Sequence, residues 1–493
     1  MSFLLLSSGF FLGWSLGAND GGNIFGPAVT TRMLKFKVAA IIASIFVLIG
    51  ALYQGGGATQ TLSALGSVNK LSGSFTVALA AALSLFLMLK MKVPVSSSQA
   101  VVGAILGWNI FTGSYSGFSV LPKIVSTWVF TPILSAFFAI IFYFAFKYYY
   151  YKSTISLLRH DYSIRVGYIV LIAFSAYSLG ANNIANVMGM FVDSAPFTPI
   201  TFFNQFTITS HIQLFFLGGI SIGVGILTKS MSNAHTVGNT IFKMSPIIGF
   251  ISILASSLVL FLFSSKNMQI FLDWMHLPTL PLVPVSSSQA IIGAIIGLGI
   301  IKGASNIQYK QLYKIALGWV INPILAGTIC FFSLFFMQNV FDQSVYSPTL
   351  YVYNNKVMEK LENQHIDIEM IKIINNNTFV NSKDLRKVLD TLPELHFTEK
   401  AIIAQYGEYY PMYISSAELI NIKNKKYFSN ETYAPLEDLE NLFFDYKWEL
   451  VDKLAEKSVH WKPKPKKLVN DFYNSELEKR LELLYKIFGD DKQ

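Results

Sequence analysis

SLGANDGGNIFG at residues 15–26 returns as SLGANNIANVMG at 178–189, and VPVSSSQAVVGAILG at 93–107 returns as VPVSSSQAIIGAIIG at 283–297. A third pair keeps the same order, Trp128 and Pro132 against Trp319 and Pro323. The first phrase recurs at an offset of 163 (15 to 178) and the second at 190 (93 to 283). The second half has therefore gained some 27 residues (190 less 163) between its motifs, as a duplication followed by insertion does.

Outward from these motifs the chain is apolar. Of its 493 residues 52% are hydrophobic, above the roughly 45–50% of soluble domains, which points to a membrane protein. Apolar stretches that can enter a bilayer lie near 3–18, 38–56, 74–91, 98–112 and 122–149, then near 166–192, 212–228, 246–265, 283–301 and 314–339. Several are short or broken by Gly and Pro, the mark of discontinuous helices around a midplane site. The start, MSFLLLSSGFFLGWSLGAND, lacks a basic leader and runs into the first motif, so it reads as a membrane segment.

Charge divides the chain more sharply than hydropathy. Residues 1–340 hold four acids, Asp20, Asp161, Asp193 and Asp273, out of the 29 in the chain. Basic residues there gather between apolar runs, at Arg32/Lys35/Lys37, Lys90/Lys92, Lys147/Lys152/Arg159/Arg165, Lys229/Lys243 and Lys302/Lys310/Lys314. Such clusters read as membrane-flanking charge, and no nucleic acid is expected as a partner. If they mark one side, each half crosses five times and the two repeats enter the bilayer inverted. The expected architecture is an all-α polytopic membrane protein of two inverted repeats with broken or re-entrant helices, about 10–12 membrane segments. Residues 1–150 form the first repeat, 151–165 a linker and 166–340 the second. Beyond 340 the chain turns Lys/Glu/Asn-rich with helical periodicity, a soluble, mainly helical domain over 341–493 whose WKPKPKK run at 461–467 reads as a solvated surface segment.

The chemistry concentrates in the motifs. GANDGGN sets Asn19, Asp20 and Asn23 among glycines in an apolar segment. An ionisable group there is costly and by default functional. Amide oxygens, free carbonyls and one carboxylate are the hard oxygen ligands of a sodium or proton site, the alternative being a helix-packing seam with Asn as interhelical glue. PVSSSQA sets proline, three hydroxyls and an amide at the start of a helix, where unpaired N–H groups and the positive dipole end favour anions. Ser96, Ser97 and Ser98 with Ser286, Ser287 and Ser288 are thus candidate anion cradles, or plain N-caps. The lone Cys330 offers no disulfide or zinc framework, and no nucleophile–base pair or metal-ligand spacing appears, so no catalytic residue and no enzyme is expected. Weaker candidates are His235, Thr236, Gly238 and Asn239, and Gln54, Thr59 and Gln60. Lys229 and Lys243 read as topology-setting charges.

In these four motifs the chain resembles the inorganic phosphate transporter family, whose halves each carry a GANDxAN-like and a PVSxSx-like element. The resemblance covers roughly residues 1–340. It implies inverted repeats, a homodimer, a multi-pass place in a cell membrane, here a prokaryotic plasma membrane, and uptake of inorganic phosphate driven by sodium or protons. Carried over, phosphate contacts fall on Ser96, Ser97, Ser98 and Gln99 with Ser286, Ser287, Ser288 and Gln289. Cation or coupling roles fall on Asn19, Asp20 and Asn23 with Asn182, Asn183 and Asn186, of which Asp20, Asn23 and Asn186 would ligate sodium. The chain departs from the pattern at Asn183, where an aspartate is common, and at Gln99 and Gln289, where a histidine often stands. On the helix after each GAN element, Val47 and Ile253 align where the family often has acids. Two other readings remain open: a permease for sulfate or another tetrahedral oxyanion, and a non-transporting anion sensor signalling through the C-terminal domain.

Overall fold

The structure is a computed structural model. It describes every residue except 1, 67, 114–119, 153–155, 193, 195, 196, 198, 199, 203–205, 236–243, 278, 304–307, 381, 393, 394, 396, 425–427, 466, 467 and 490–493. The chain divides into two compact units. One comprises 1–112, 116–199 and 208–347; the other comprises 113–115, 200–207 and 348–493.

In the first unit every apolar stretch becomes a helix, since a bilayer-facing backbone must satisfy its polar groups internally. After a turn of helix, α1 (Ser2–Leu5), come α2 (Ser7–Thr30), α3 (Phe36–Gln54), α4 (Gly56–Leu65), α5 (Leu71–Lys90), α6 (Ser97–Thr112) and α7 (Leu121–Lys152). The second series is α8 (Leu157–Met188), α9 (Ser210–Lys229), α10 (Met231–His235), α11 (Pro246–Ser264), α12 (Lys266–Trp274), α13 (Ser287–Ile301) and α14 (Tyr309–Asn339). Seven described helices are long and apolar enough to span a bilayer: α3, α5, α7, α8, α9, α11 and α14. α2 carries the first GAN motif in its middle, while α6 and α13 are short helices that follow buried extended chain at Pro94–Ser96 and Val283–Ser286. This is a multi-pass membrane protein.

Close backbone approaches fix which elements of the repeats are equivalent. A Cβ added at Gly17 would stand 2.0 Å from the Ile222 carbonyl oxygen, and one at Gly180 would stand 2.0 Å from that of Val47. Gly17 and Gly180 are equivalent by the motif offset of 163, so the partner of Val47 is Ile222 on α9, at an offset of 175 (47 to 222). That corrects the pairing of Val47 with Ile253, which lies on α11; both helices are apolar runs with nothing in the sequence to anchor their register. The offset of 175 holds where α4 and α10 begin (56 to 231) and where α5 and α11 begin (71 to 246), and becomes 190 where α6 and α13 begin (97 to 287). The extra chain therefore enters twice. Twelve residues (175 less 163) fall between α8 and α9, where a two-stranded ribbon, β1 (Ile200–Phe202) and β2 (Phe206–Ile208), is formed. Fifteen (190 less 175) fall between α11 and α13, where α12 lies.

The equivalent helices α3 and α9 run antiparallel against each other. A Cβ at Gly219 would stand 2.8 Å from Leu48 Cδ1 and one at Gly223 would stand 3.3 Å from Ser44 Cβ, while Ser44 Oγ donates to the Gly223 carbonyl at 3.1 Å. Residue 44 meets 223 and residue 48 meets 219, and at an offset of 175 these contacts exchange into each other.

The second unit is itself a duplication. β3 (Tyr351–Val352), α15 (Asn355–Glu362), α16 (Ile368–Ile371), β4 (Thr378–Phe379), α17 (Ser382–Asp390) and α18 (Phe397–Gly407) are followed by β5 (Met412–Tyr413), α19 (Ser416–Asn424), α20 (Asn430–Glu437), β6 (Phe443–Phe444), α21 (Lys447–Lys457) and α22 (Leu468–Phe488). Antiparallel pairs Tyr351–Phe379 and Met412–Phe444 close the two modules. Asn354 caps α15 by accepting from Val357 N at 3.0 Å, and Ser415 accepts from Glu418 N at 3.3 Å before α19. Asn376 and Asn441 adopt left-handed φ of 57° and 62° ahead of the closing strands, a conformation Asn tolerates better than most residues. Each module has its own apolar core, Leu361 and Ile371 lying in one and Leu436 and Leu450 in the other.

Candidate functional site

All four motifs meet in the middle of the first unit. Asp20 is fully buried, and among the described residues no other acid and no lysine, arginine or histidine is buried. Its charge is met by neutral donors: Asn19 Nδ2 at 2.8 Å and Asn23 Nδ2 at 3.4 Å reach Oδ1, and Ser97 Oγ at 2.8 Å and Asn183 Nδ2 at 3.0 Å reach Oδ2. Hydrogen bonds to an ionised acceptor are the strong kind, which is how the fold tolerates a carboxylate here.

The second half repeats the arrangement. Asn182 Nδ2 and Asn186 Nδ2 donate to Asn183 Oδ1 at 2.9 and 3.0 Å. Asn19 donates to the Val95 carbonyl at 2.8 Å as Asn182 does to that of Val285 at 2.8 Å. Ser288 Oγ also donates to Val95 O, at 2.9 Å, and Ser98 Oγ to Val285 O, at 3.1 Å. The irregular chain before each short helix, which has no helical partners for its carbonyls, thus satisfies them with the GAN asparagine of its own half and a serine of the other.

The asparagines cross over as well. Asn23 Nδ2 donates to Ser287 Oγ and Ser288 Oγ at 3.1 Å each, and Asn186 Nδ2 donates to Ser98 Oγ at 2.9 Å. Every GAN segment therefore holds the serine turn of the opposite repeat. Ser96 and Ser286 stand one position earlier and act as N-caps, their Oγ atoms accepting from Gln99 N and Gln289 N at 3.2 Å.

Apart from the Ser15 hydroxyl, five buried side-chain oxygens of these motifs lack a hydrogen-bond partner: Asn19 Oδ1, Asn23 Oδ1, Asn186 Oδ1, Gln99 Oε1 and Gln289 Oε1. All are acceptors. A buried acceptor left unpaired is costly, and two of these, on the Asn19 and Asn23 side chains bonded to the Asp20 carboxylate, are the donor chemistry a hard cation takes. Residues present therefore fit a sodium ion. Asn182 Oδ1, by contrast, is already engaged by Val285 N at 3.0 Å.

Given this geometry, the comparisons with known proteins are decisive for the class. The model of the phosphate transporter family matches residues 16–270 and 271–467. The chain belongs to the phosphate transporter family. A protein of Methanocaldococcus jannaschii named "Putative phosphate permease" is 29% identical over 322 residues, 65% of this chain and 93% of that protein. A sulfate permease of Bacillus subtilis is 28% identical over 330 residues, 65% of this chain and 84% of that protein. A solved chain titled the sodium-dependent phosphate transporter shares the fold at a TM-score of 0.56 and 18% identity, covering 68% of this chain and 98% of its own. As a member of a transporter family the protein is not an enzyme.

Two residues of this family member that sequence reasoning passed over support the motifs. Asn233 on α10 is buried and its amide donates to the Asn19 carbonyl. Asn322 on α14 donates to the Ser96 carbonyl at 2.8 Å and accepts from Ser84 Oγ at 2.7 Å. Asn322 precedes Pro323 in the repeated Trp/Pro element, which was the available signal, although its counterpart Thr131 leaves Oγ1 without a partner. Of the weaker candidates, His235 and Lys229 are exposed, Gln54 donates to Ser265 Oγ at 3.0 Å, and Thr59 bonds back to Gly55 O at 3.1 Å. The side chain of Gln60, and Thr236, Gly238, Asn239 and Lys243 altogether, lie outside the described residues.

Proposed function

We propose that the chain is a secondary active phosphate permease of a prokaryotic plasma membrane, a symporter coupled to sodium or a proton and working by alternating access. Phosphate is held between the two serine turns through Ser97, Ser98, Ser287 and Ser288, helped by the helix starts and by Gln99 and Gln289. The cation sits at the GAN segments on Asp20, with oxygens of Asn19, Asn23 and Asn186. The antiparallel crossing of α3 and α9 supports inverted repeats, the plan from which two-sided access is built. The archaeal and bacterial relatives support the cellular setting.

The observation that carries the reading is the bond from Ser97 Oγ to Asp20 Oδ2. It ties an anion-cradle hydroxyl to the buried carboxylate. An anion in that cradle faces Asp20 in low dielectric, and the repulsion must be cancelled by a bound cation or proton. Cation binding frees Ser97 to donate to phosphate, so loading of one solute lowers the cost of loading the other. Counterflow of labelled phosphate in proteoliposomes, with sodium and pH gradients imposed separately, tests this. Accumulation driven by one gradient is expected, and counterflow indifferent to both excludes symport.

The sulfate permease relative favours sulfate as a second reading. Serine hydroxyls and backbone N–H groups recognise a tetrahedral oxyanion without testing its protonation. Competition by unlabelled sulfate at low excess would select that reading.

A further inference from the structure

The two half-sites share one bonding plan around their central residues. Asn19 and Asn23 converge on Asp20 Oδ1 as Asn182 and Asn186 converge on Asn183 Oδ1. Asp20 and Asn183 occupy equivalent positions (20 to 183, the motif offset of 163), and they are also each other's partner, Asn183 Nδ2 donating to Asp20 Oδ2 at 3.0 Å. Two carboxylates could not share this contact, because neither ionised group can donate and like charges so close in a dry interior repel. Such a pair would require a proton or a metal cation between them. Here the amide N–H supplies the positive end without any added ion.

We propose that Asn183 sets the number of coupling cations by standing in for one of them. The core then takes up a single cation per phosphate, on the Asp20 side, where the same scaffold with carboxylates at both positions would take one more. Placement of the remaining cation follows from the free oxygens. Both Asn19 Oδ1 and Asn23 Oδ1 are unengaged beside the Asp20 carboxylate, whereas beside the neutral Asn183 only Asn186 Oδ1 is free, Asn182 Oδ1 being used by Val285 N. No other buried charge is found among the described residues. Among the other described acids of this unit, Asp161 is paired with Arg165 at 2.7 Å and half-exposed, and Asp273 and Asp342 are exposed. Ser84, Asn233 and Asn322, on the helices around the motifs, are neutral.

The inference rests on the cation-coupled reading above, and the test separates the two. Phosphate uptake into proteoliposomes is measured against the activity of whichever cation drives the wild type, together with the charge moved per phosphate, for wild type and Asn183→Asp. The variant is expected to show a cation dependence steeper by one ion and one additional positive charge per phosphate. A transporting variant with the wild-type slope and charge overturns the proposal while leaving symport standing. Loss of all cation dependence in the wild type overturns symport and the proposal with it. If Asn183→Asp does not transport, equilibrium phosphate binding to the purified full chain decides: the slope of log Kd against log cation activity counts the ions taken up with phosphate. A slope larger by one ion supports the assignment, and an equal slope overturns it.

Discussion

Replacing Asp20 by Asn keeps the shape of the side chain and removes the one buried charge among the described residues. Its amide must turn a donor toward either Asn19 and Asn23 or Ser97 and Asn183, all of which now donate to the carboxylate. The second orientation is cheaper, since the Ser97 hydroxyl can rotate and accept. Asn183 cannot turn without losing the bonds from Asn182 and Asn186 to its Oδ1. One frustrated donor costs about 1–3 kcal/mol, offset by the desolvation no longer demanded of a buried carboxylate. The variant should therefore fold with nearly unchanged thermal stability. Cation binding is another matter. A unit charge about 4 Å from a carboxylate at an effective dielectric of about 20 gains about 4 kcal/mol, and at about 1.4 kcal/mol per tenfold its loss weakens cation binding about a thousandfold. Reconstituted Asp20→Asn protein should bind phosphate yet fail to accumulate it against a gradient, read as labelled uptake with and without the cation gradient. Undiminished gradient-driven uptake would refute the assignment of coupling to Asp20.

The serine turns separate capping from recognition: Ser96→Ala should cost about 1 kcal/mol of stability as a lost N-cap while changing the phosphate KM little, whereas Ser97→Ala should raise KM tenfold or more in the same uptake assay. Asn322→Ala removes two buried hydrogen bonds and frees the Ser96 carbonyl, which should lower the Tm of the purified protein and raise KM, with Thr131→Ala nearly silent because its hydroxyl has no partner among the described residues. Gly180→Val places atoms within 2.0 Å of the Val47 carbonyl oxygen, so the full chain should lose its monodisperse peak in detergent, and the equivalent Gly17→Val should do the same.

Legibility followed the motifs. Glycine, asparagine and serine runs are rare in apolar segments, so their repetition marks both the duplication and the site, and the structure does bring all four together. What lay between them was unreadable, because Val47 could be set opposite Ile222 or Ile253 with equal apolar credit; only the carbonyl contacts at Gly17 and Gly180 decide. The crossing of half-sites, with Asn23 on Ser287 and Asn186 on Ser98, is a tertiary fact with no sequence spacing to betray it. Asn233 and Asn322 escaped for a related reason, since their equivalents are Ala58 and Thr131 and repetition gives no signal. In the second unit the duplicated modules share caps, left-handed Asn residues and strand register, while their helices have drifted to different apolar residues.

The crossing also explains why a duplicated site can couple two solutes. Had each GAN segment held only the serine turn of its own repeat, each half could load its own anion and cation without reference to the other. Instead Asn23 is bonded at once to Asp20 and to Ser287 and Ser288 of the other half, while Ser97 of its own half is bonded to Asp20 itself. Drawing any of these hydroxyls toward an anion changes the donors left for the carboxylate, and neutralising the carboxylate changes which hydroxyls are free. Because linkage is reciprocal, each solute raises the affinity for the other by the same factor. Double-mutant cycles of Asp20→Asn with Ser288→Ala should then show a coupling energy well above the about 0.5 kcal/mol expected of independent sites, although the two residues are joined only through Asn23 and through Asn19 at the Val95 carbonyl. Additive effects on phosphate binding would mean that the crossing serves packing alone.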